Sequence, residues 1–372
     1  MNDRAAVLFE AYDFELRDIK KGRGMLIADT GIGQIALKEY TGTQAKAEWL
    51  EAYTKRLKES GYPKIEGLFR DRKDNLIQTD YEGTRYLVKE FTPGRECVVS
   101  DKSQCRQACQ EIARLHKAMK EAAAKPLTIQ HKVVLPVTVS DEDEQPLPQE
   151  EQYELLELAE TDAQYDMMIR KGEGFISGEY EKRIGEMHRA RQFIRKNRSK
   201  NDFDLLFLKE YDRFYEQAME TCCVLSTAEK SMLEKKVLRE KQYCHGDMNH
   251  HNIMFCNKEL MIQNFEKMRP DFQIKDLYLF VRKICEKNNW SFELGKLCID
   301  AYSEKMELTV QEHKLLYASF LFPEKYCKIA NGYMGQKKAL PPKRQWDKLQ
   351  SLLQMETLKQ TFLKAYKETY LS

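Results

Sequence analysis

The 372-residue chain predicts an α+β protein of two lobes, a small antiparallel sheet carrying one helix and then a larger, mainly helical part. Two observations predict it. Glycine-punctuated runs of strand period fill the first 94 residues, and from residue 100 onward apolar residues recur at helical spacing. The composition fits a globular chain: 42% of residues are hydrophobic and 32% charged, enough to fill a core without approaching a fibre or a disordered tail. Lys and Arg number 61 against 59 Asp and Glu, a net charge of +2. That balance lacks the basic footprint of a general nucleic-acid binder.

The first strands fall at residues 13–40. Gly22 and Gly24 punctuate the first turn, in Lys20-Lys21-Gly22-Arg23-Gly24, and Gly31 and Gly33 the second. In Gln-Ile-Ala-Leu-Lys, Ile35 and Leu37 alternate with Ala36 and Lys38, the period of a half-buried strand. A helix follows. Thr43 is its N-cap, Ala47, Leu50, Thr54 and Leu57 mark one face, and Gly61 and Pro63 stop it. Short β-type runs then lead to Thr92-Pro93-Gly94, and a hinge falls near residues 89–97. Tyr81, Tyr86, Trp49 and Phe91 are expected to pack this lobe, residues 1–94.

Residues 95–372 form the second expected lobe. Cys105, Ala108, Ile112, Leu115 and Met119 lie on one helical face. Residues 125–150 carry four prolines and the acidic run Asp141–Glu144, and read as a surface loop leading into a helix. Residues 178–242 are helical in pattern, and 180–200 hold eight Lys or Arg against two Glu. Together these make a charged helical insert over about 126–235, with a solvated helix face or a docking surface for an acidic partner as its two readings. Trp290, Tyr302, Phe320, Phe322 and Tyr326 are core candidates. A late basic segment holds Gln336-Lys337-Lys338 and Lys343-Arg344 around Pro341-Pro342.

No run of about 18 apolar residues appears, so no membrane span is expected. The N-terminus turns acidic at once and lacks the apolar core of a signal peptide, which predicts synthesis and retention in the cytoplasm. The ten cysteines contain no CxxC pair and read as reduced, mostly buried thiols.

Chemistry concentrates in His245-Gly246-Asp247-Met248-Asn249-His250-His251-Asn252, within a loop spanning 243–266. An Asp followed five residues later by an Asn is the spacing of a kinase catalytic loop: the carboxylate takes or orients a hydroxyl proton and the amide holds a cation. Phosphoryl transfer is largely alignment and charge neutralisation, so both groups must sit within a few ångström of the phosphate. His245 reads as a structural histidine holding the loop backbone. His250 and His251 are consecutive, so they do not read as a zinc or iron site. Cys244 reads as a structural thiol. Downstream, Gln263-Asn264-Phe265-Glu266 closes a short apolar strand where kinases carry a metal-binding Asp-Phe-Gly. Gln263 at that position instead would not supply a carboxylate either.

With these motifs the chain resembles the aminoglycoside and choline kinase superfamily, of protein-kinase-like fold. It is most similar to the CotS-type spore coat proteins, through HGDMNHHNIMF, NFEKMRPDFQIKDLYLFVRKICEKNNW and the charged insert. Asn249 stands where antibiotic kinases favour a histidine. The resemblance implies ATP and Mg²⁺ as cofactors, a place in the spore coat and other coat proteins as partners. It implies that Lys38 binds phosphates, that Glu48 (or Glu51) orients Lys38, and that Gly22 and Gly24 belong to the phosphate-covering hairpin. The backbone from Val88 through Glu90 and Phe91 would hold adenine. Asp247 would be the base, Asn252 a metal ligand, Glu266 a nearby acid, and Asp276 a brace for the loop.

The departure is Asn264, an amide at the metal position. Mg²⁺ favours carboxylates, so weak or absent phosphate transfer is expected, with a structural, assembly or nucleotide-sensing role. In a strand Glu266 would point to the same side as Asn264 and would substitute for the lost charge. An active kinase for a hydroxyl of a small molecule, sugar or coat protein is the alternative. A purely adhesive role of the charged helices is the third.

Overall fold

The computed structural model describes residues 3–124, 128–133, 152–157, 176–256, 259–334 and 343–372. The acidic run Asp141–Glu144, the four prolines between 126 and 148 and the segment Gln336–Lys338 lie outside them. The chain divides into two compact units, Met1–Pro93 with Glu121–Arg170 and Gly94–Lys120 with Lys171–Ser372.

The first unit is built on a six-stranded antiparallel sheet ordered β1-β2-β3-β6-β4, with β5 also paired to β6. Its strands are β1 (Leu16–Gly22), β2 (Met25–Thr30), β3 (Gly33–Glu39), β4 (Leu68–Phe69), β5 (Ile77–Thr79) and β6 (Arg85–Glu90). The β1–β2 turn needs Gly24, whose φ of 68° lies in the left-handed region. Leu26, Ala28, Ile35, Leu37, Tyr86 and Val88 fill one sheet face against Phe9 and Tyr12 from the N-terminal segment, where a 3-10 helix spans Asp3–Ala11. The opposite face carries Met25, Ile27 and Ala36 with Phe91 beside them. Helix α1 (Gln44–Glu59) starts where expected: the Thr43 hydroxyl accepts the N–H of Lys46, and Ala47, Trp49, Leu50, Tyr53, Thr54 and Leu57 are buried. Tyr81 is a correction. It sits at the tip of the Asp80–Thr84 turn and is 68% exposed, because the turn projects its ring away from the sheet.

Register places Lys89 opposite Ala36, on the face that also holds Leu87. There its ammonium is fully buried and 2.9 Å from the Glu66 carboxylate. A charge so deep is tolerated only with a close counter-ion.

A second correction concerns the segments described on either side of residues 134–151. In place of loop at 128–133 and helix at 152–157, β8 (Thr128–Val133) and β9 (Gln152–Glu157) pair antiparallel, Thr128 opposite Glu157 and Val133 opposite Gln152. Local helix preference in Gln-Tyr-Glu-Leu-Leu-Glu yields to pairing with a β-branched partner strand.

The second unit is helical apart from two small sheets. Strands β7 (Arg95–Glu96), β11 (Ile253–Cys256) and β12 (Glu259–Ile262) form one, in the order β12-β11-β7, and β10 (Tyr243–Cys244) pairs with β13 (Arg269–Pro270) in the other. The helices are α2 (Lys102–Ala123), α3 (Ile176–Lys196), α4 (Asp202–Cys223), α5 (Thr227–Arg239), α6 (Ile274–Lys287), α7 (Phe292–Ser303), α8 (Val310–Leu321), α9 (Glu324–Met334) and α10 (Lys343–Tyr370). The α2 face expected from periodicity is buried throughout. Capping boxes at Asn201–Asp204, Ser226–Glu229 and Thr309–Glu312 set three helix starts. Phe203, Phe207 and Phe214 of α4 pack on Tyr326 and Tyr333 of α9 and Met187 of α3. Trp290, Tyr302, Phe320, Phe322 and Tyr326 are all buried, as expected, and all ten cysteines are free thiols.

The Lys89–Glu66 pair yields a stability test. Glu66→Ala removes the carboxylate from a buried ammonium and is expected to cost about 3–5 kcal/mol. Replacing both residues with apolar ones of similar size should recover most of that loss. Urea unfolding of the full chain measures both, and an Ala variant as stable as the natural chain would contradict the assignment.

Candidate active site

The loop after β10 is shaped by one buried carboxylate. Asp276, in the first turn of α6, accepts the backbone N–H of His245 at 2.6 Å and that of Gly246 at 2.9 Å. His116 of α2 reaches the same carboxylate at 3.1 Å and bonds the Tyr302 hydroxyl with its other ring nitrogen at 2.8 Å. Burial pushes the Asp276 carboxyl up, but His116, His245 and these N–H groups outweigh it and hold it below the usual carboxylate range. Gly246 adopts φ 78°, and a Cβ there would lie 2.4 Å from the Lys267 carbonyl oxygen, so glycine is required.

His245 is a strut. Its Nδ1 accepts the Asp247 N–H at 3.2 Å, which leaves Nε2 to donate to the Gln263 carbonyl at 2.9 Å. The loop is stitched further by Asn249, which donates to the Asp247 carbonyl at 2.8 Å, and by Asn252, which donates to the same carbonyl at 2.7 Å. These bonds leave the Asp247 carboxylate part-exposed, where Lys267 Nζ meets it at 2.8 Å. Cys244 is fully buried, and desolvation drives its thiol pKa upward, as a structural thiol requires.

The position expected to hold a metal is the informative one. Asn264 sits at φ 73° and ψ 57°, a left-handed conformation that Asn and Asp enter more readily than other side chains. Its amide N–H₂ donates to the side-chain oxygen Oδ1 of Asn252 at 2.8 Å. That oxygen is the atom a divalent cation would need. Two neutral amides bonded to each other are a poor match for Mg²⁺, which prefers carboxylate oxygens in octahedral array. Glu266 does not follow the strand geometry expected of it. It lies in a one-turn 3-10 helix, Phe265–Lys267, so period-two alternation does not carry its side chain to the side of Asn264. Among the described residues, no group of three or more His, Cys, Asp or Glu side chains is placed to hold a metal.

In the first unit, Lys38 lies opposite Met25 and Leu87 and is half-buried on the sheet face that carries Ala36. Gly22 closes β1 opposite Met25, and Gly24 lies within the β1–β2 turn. Glu48 accepts from Gln44 at 2.9 Å. Glu51 is engaged by the Arg70 guanidinium, with contacts of 2.5 and 2.9 Å. The Glu90 N–H donates to the Gly67 carbonyl and the Phe91 N–H to the Gln34 carbonyl. The Glu90 carboxylate takes Lys58 at 2.9 Å and the Gly67 N–H at 2.7 Å. Both hinge N–H groups are thus used inside the unit.

Sequence reasoning missed Lys267 on Asp247, Glu96 on His251 at 2.5 Å and Lys287 on His250 at 3.0 Å. Lys267 was within reach, three residues past Asn264. The other two partners are separated in the chain by 155 and 37 residues, and no local pattern marks them.

A family model described as "Spore coat putative kinase YutH" matches residues 145–366. Spore coat protein S of Bacillus subtilis (strain 168) is 24% identical over 170 residues, 45% of this chain and 48% of that protein, so the match spans about half the relative's length. An aminoglycoside phosphotransferase from Alicyclobacillus acidocaldarius superposes with a TM-score of 0.73 at 17% identity, over 100% of this chain and 96% of that one. A spectinomycin phosphotransferase solved with ADP and spectinomycin gives 0.55 at 12% identity, over 96% and 97%. The fold is therefore that of the kinase-like phosphotransferases. Among the described residues no helix is long and apolar enough to cross a membrane.

Asp276→Asn tests the brace. Two N–H groups lose a charged acceptor, at a cost of about 3 kcal/mol at pH 7. Because the carboxyl is depressed in the folded state, its contribution is present above about pH 4 and fades as pH falls through the folded value. The stability gap between natural chain and variant, read by urea unfolding at pH 7 and pH 3, should narrow in acid; a gap that widens would refute the assignment.

Proposed function

We propose that this chain, which belongs to the spore coat kinase family described as YutH, serves the coat as a kinase-fold protein with weak or no phosphotransferase activity, in assembly or nucleotide sensing. The bond from Asn264 to Asn252 carries the reading. It occupies with two amides the place where a phosphoryl-transfer site needs a cation held by charge. The Lys267 ammonium on Asp247 adds to it, because a carboxylate held by a lysine is a poorer acceptor for a hydroxyl proton.

Nucleotide handling remains part of the proposal. Lys38 would meet the phosphates, the Gly22–Gly24 turn would lie over them, and Glu48 would help set Lys38. Glu90 and Phe91 would offer adenine carbonyl oxygens, since their N–H groups are engaged. ATP is the expected nucleotide. Mg²⁺ would be held by the Asn252 oxygen once Asn264 releases it, with Glu266 nearby, and when bound it would neutralise phosphate charge.

A second reading, a working ATP-dependent kinase, is favoured by the intact, braced loop and the part-exposed Asp247. In it the hydroxyl oxygen bonds to the terminal phosphorus, its proton passes to Asp247, and ADP leaves.

The readings separate in a melting assay. The natural chain should show little Mg²⁺-dependent stabilisation by ATP, and Asn264→Asp should tighten Mg²⁺-ATP binding about tenfold, near 1.4 kcal/mol. The left-handed backbone accepts Asp, so folding is preserved. A large shift in the natural chain that Asn264→Ala abolishes and Asp247→Ala leaves intact would show that Asn264 is a competent ligand.

A further inference from the structure

Beside Asp247 the second unit holds a cavity of about 300 Å³ whose walls include His250, His251, Arg282, Lys283 and Lys287. That volume is at the lower end of small-molecule sites. Residues 279, 282, 283 and 287 of α6 recur at helical spacing, so one face of the helix lines it. The same helix carries Asp276 in its first turn, so the element that fixes the catalytic-type loop also fixes this wall.

The lining is cationic. Arg282, Lys283 and Lys287 outnumber Asp247, which is itself held by Lys267 at 2.8 Å. The neighbouring acids answer only part of this charge. Glu286 lies 2.9 Å from Arg282 and 3.7 Å from Lys283, Glu324 lies 3.5 Å from Arg282, and Glu96 lies 2.5 Å from His251. Lys287 is exposed, and its ammonium lies 3.0 Å from His250 Nε2.

Two lining groups also carry unspent hydrogen-bonding capacity. His250 is 7% and Arg282 8% exposed, yet among the described residues His250 Nδ1 and Arg282 Nε have no partner. Lys287 Nζ can only donate, so His250 Nε2 accepts at 3.0 Å and the ring proton lies on Nδ1 as an unused donor. Buried donors without acceptors are rare in folded chains and call for an explanation.

We propose that this cavity binds the anionic group, phosphate or carboxylate, of a small hydroxy compound. The inference rests on the reading of Asp247 as the hydroxyl-facing carboxylate, and it holds whether or not transfer follows. Lys283 and Lys287 supply charge, while Arg282 and His250 supply directed N–H groups. A polycationic acceptor would be repelled by the same wall.

The test is calorimetric titration of the full chain, without nucleotide and at fixed ionic strength, with glycerol 3-phosphate, glycerate, inorganic phosphate and uncharged glycerol. Saturable binding of glycerol 3-phosphate or glycerate, but not glycerol, is expected, and the preferred anion identifies the group. Lys283→Gln with Lys287→Gln should weaken that binding at least tenfold, while Lys305→Gln, an exposed control, should not. Thermal melting verifies that both variants fold. No saturable binding of either hydroxy anion, binding of inorganic phosphate alone, or equal affinity in the double variant would each overturn the inference. The Mg²⁺-ATP melting response of the Asn264 variants is read separately, so a failed nucleotide reading and a failed anion site give different results.

Discussion

Everything at the site hangs on one fully buried carboxylate. By accepting the consecutive N–H groups of His245 and Gly246, Asp276 fixes the backbone just before Asp247. Through His116 and Tyr302 it also links α6 to α2 and α7. Backbone donors at a turn have no helical or strand partner of their own, and a charged acceptor satisfies two at once. The loop is therefore positioned by the core of the helical unit and not by its own short strands.

Position and chemistry separate at this site. The loop keeps its turn, its strut histidine and the asparagines that stitch it to the Asp247 carbonyl. What differs is the identity of two atoms: a nitrogen stands at Asn264 where an oxygen would serve a cation, and an ammonium stands on Asp247. Backbone geometry depends on hydrogen bonds that are indifferent to this change, so the loop holds its shape with an amide at Asn264. Fold likeness to phosphotransferases at 12–17% identity is consistent with that division, since a fold can be retained while the chemistry of its site changes.

How much was legible in the sequence follows from the range of each interaction. The strands around Gly24 and Gly33, helix α1 with its Thr43 cap and the buried face of α2 were readable because glycine turns, caps and period report on neighbours within a few residues. The Asp247–Asn252 spacing was readable for the same reason, and Asp276 only through family resemblance. The Lys89–Glu66 pair, the His116 link and the cationic wall of α6 were not, because each joins segments whose proximity is decided by packing. Glu266 misled because a strand was assumed where the chain turns into a 3-10 helix, and β8–β9 because pairing overrode local preference. Tyr81 misled because aromatic character says nothing about which way a turn points.

The left-handed backbone at Asn264 has a consequence for descent. Codons for asparagine and aspartate differ by a single base, and this conformation accommodates either side chain. A lineage carrying this loop is therefore one point mutation from an acidic residue at the cation position, with no change of turn, strand or helix required to accept it.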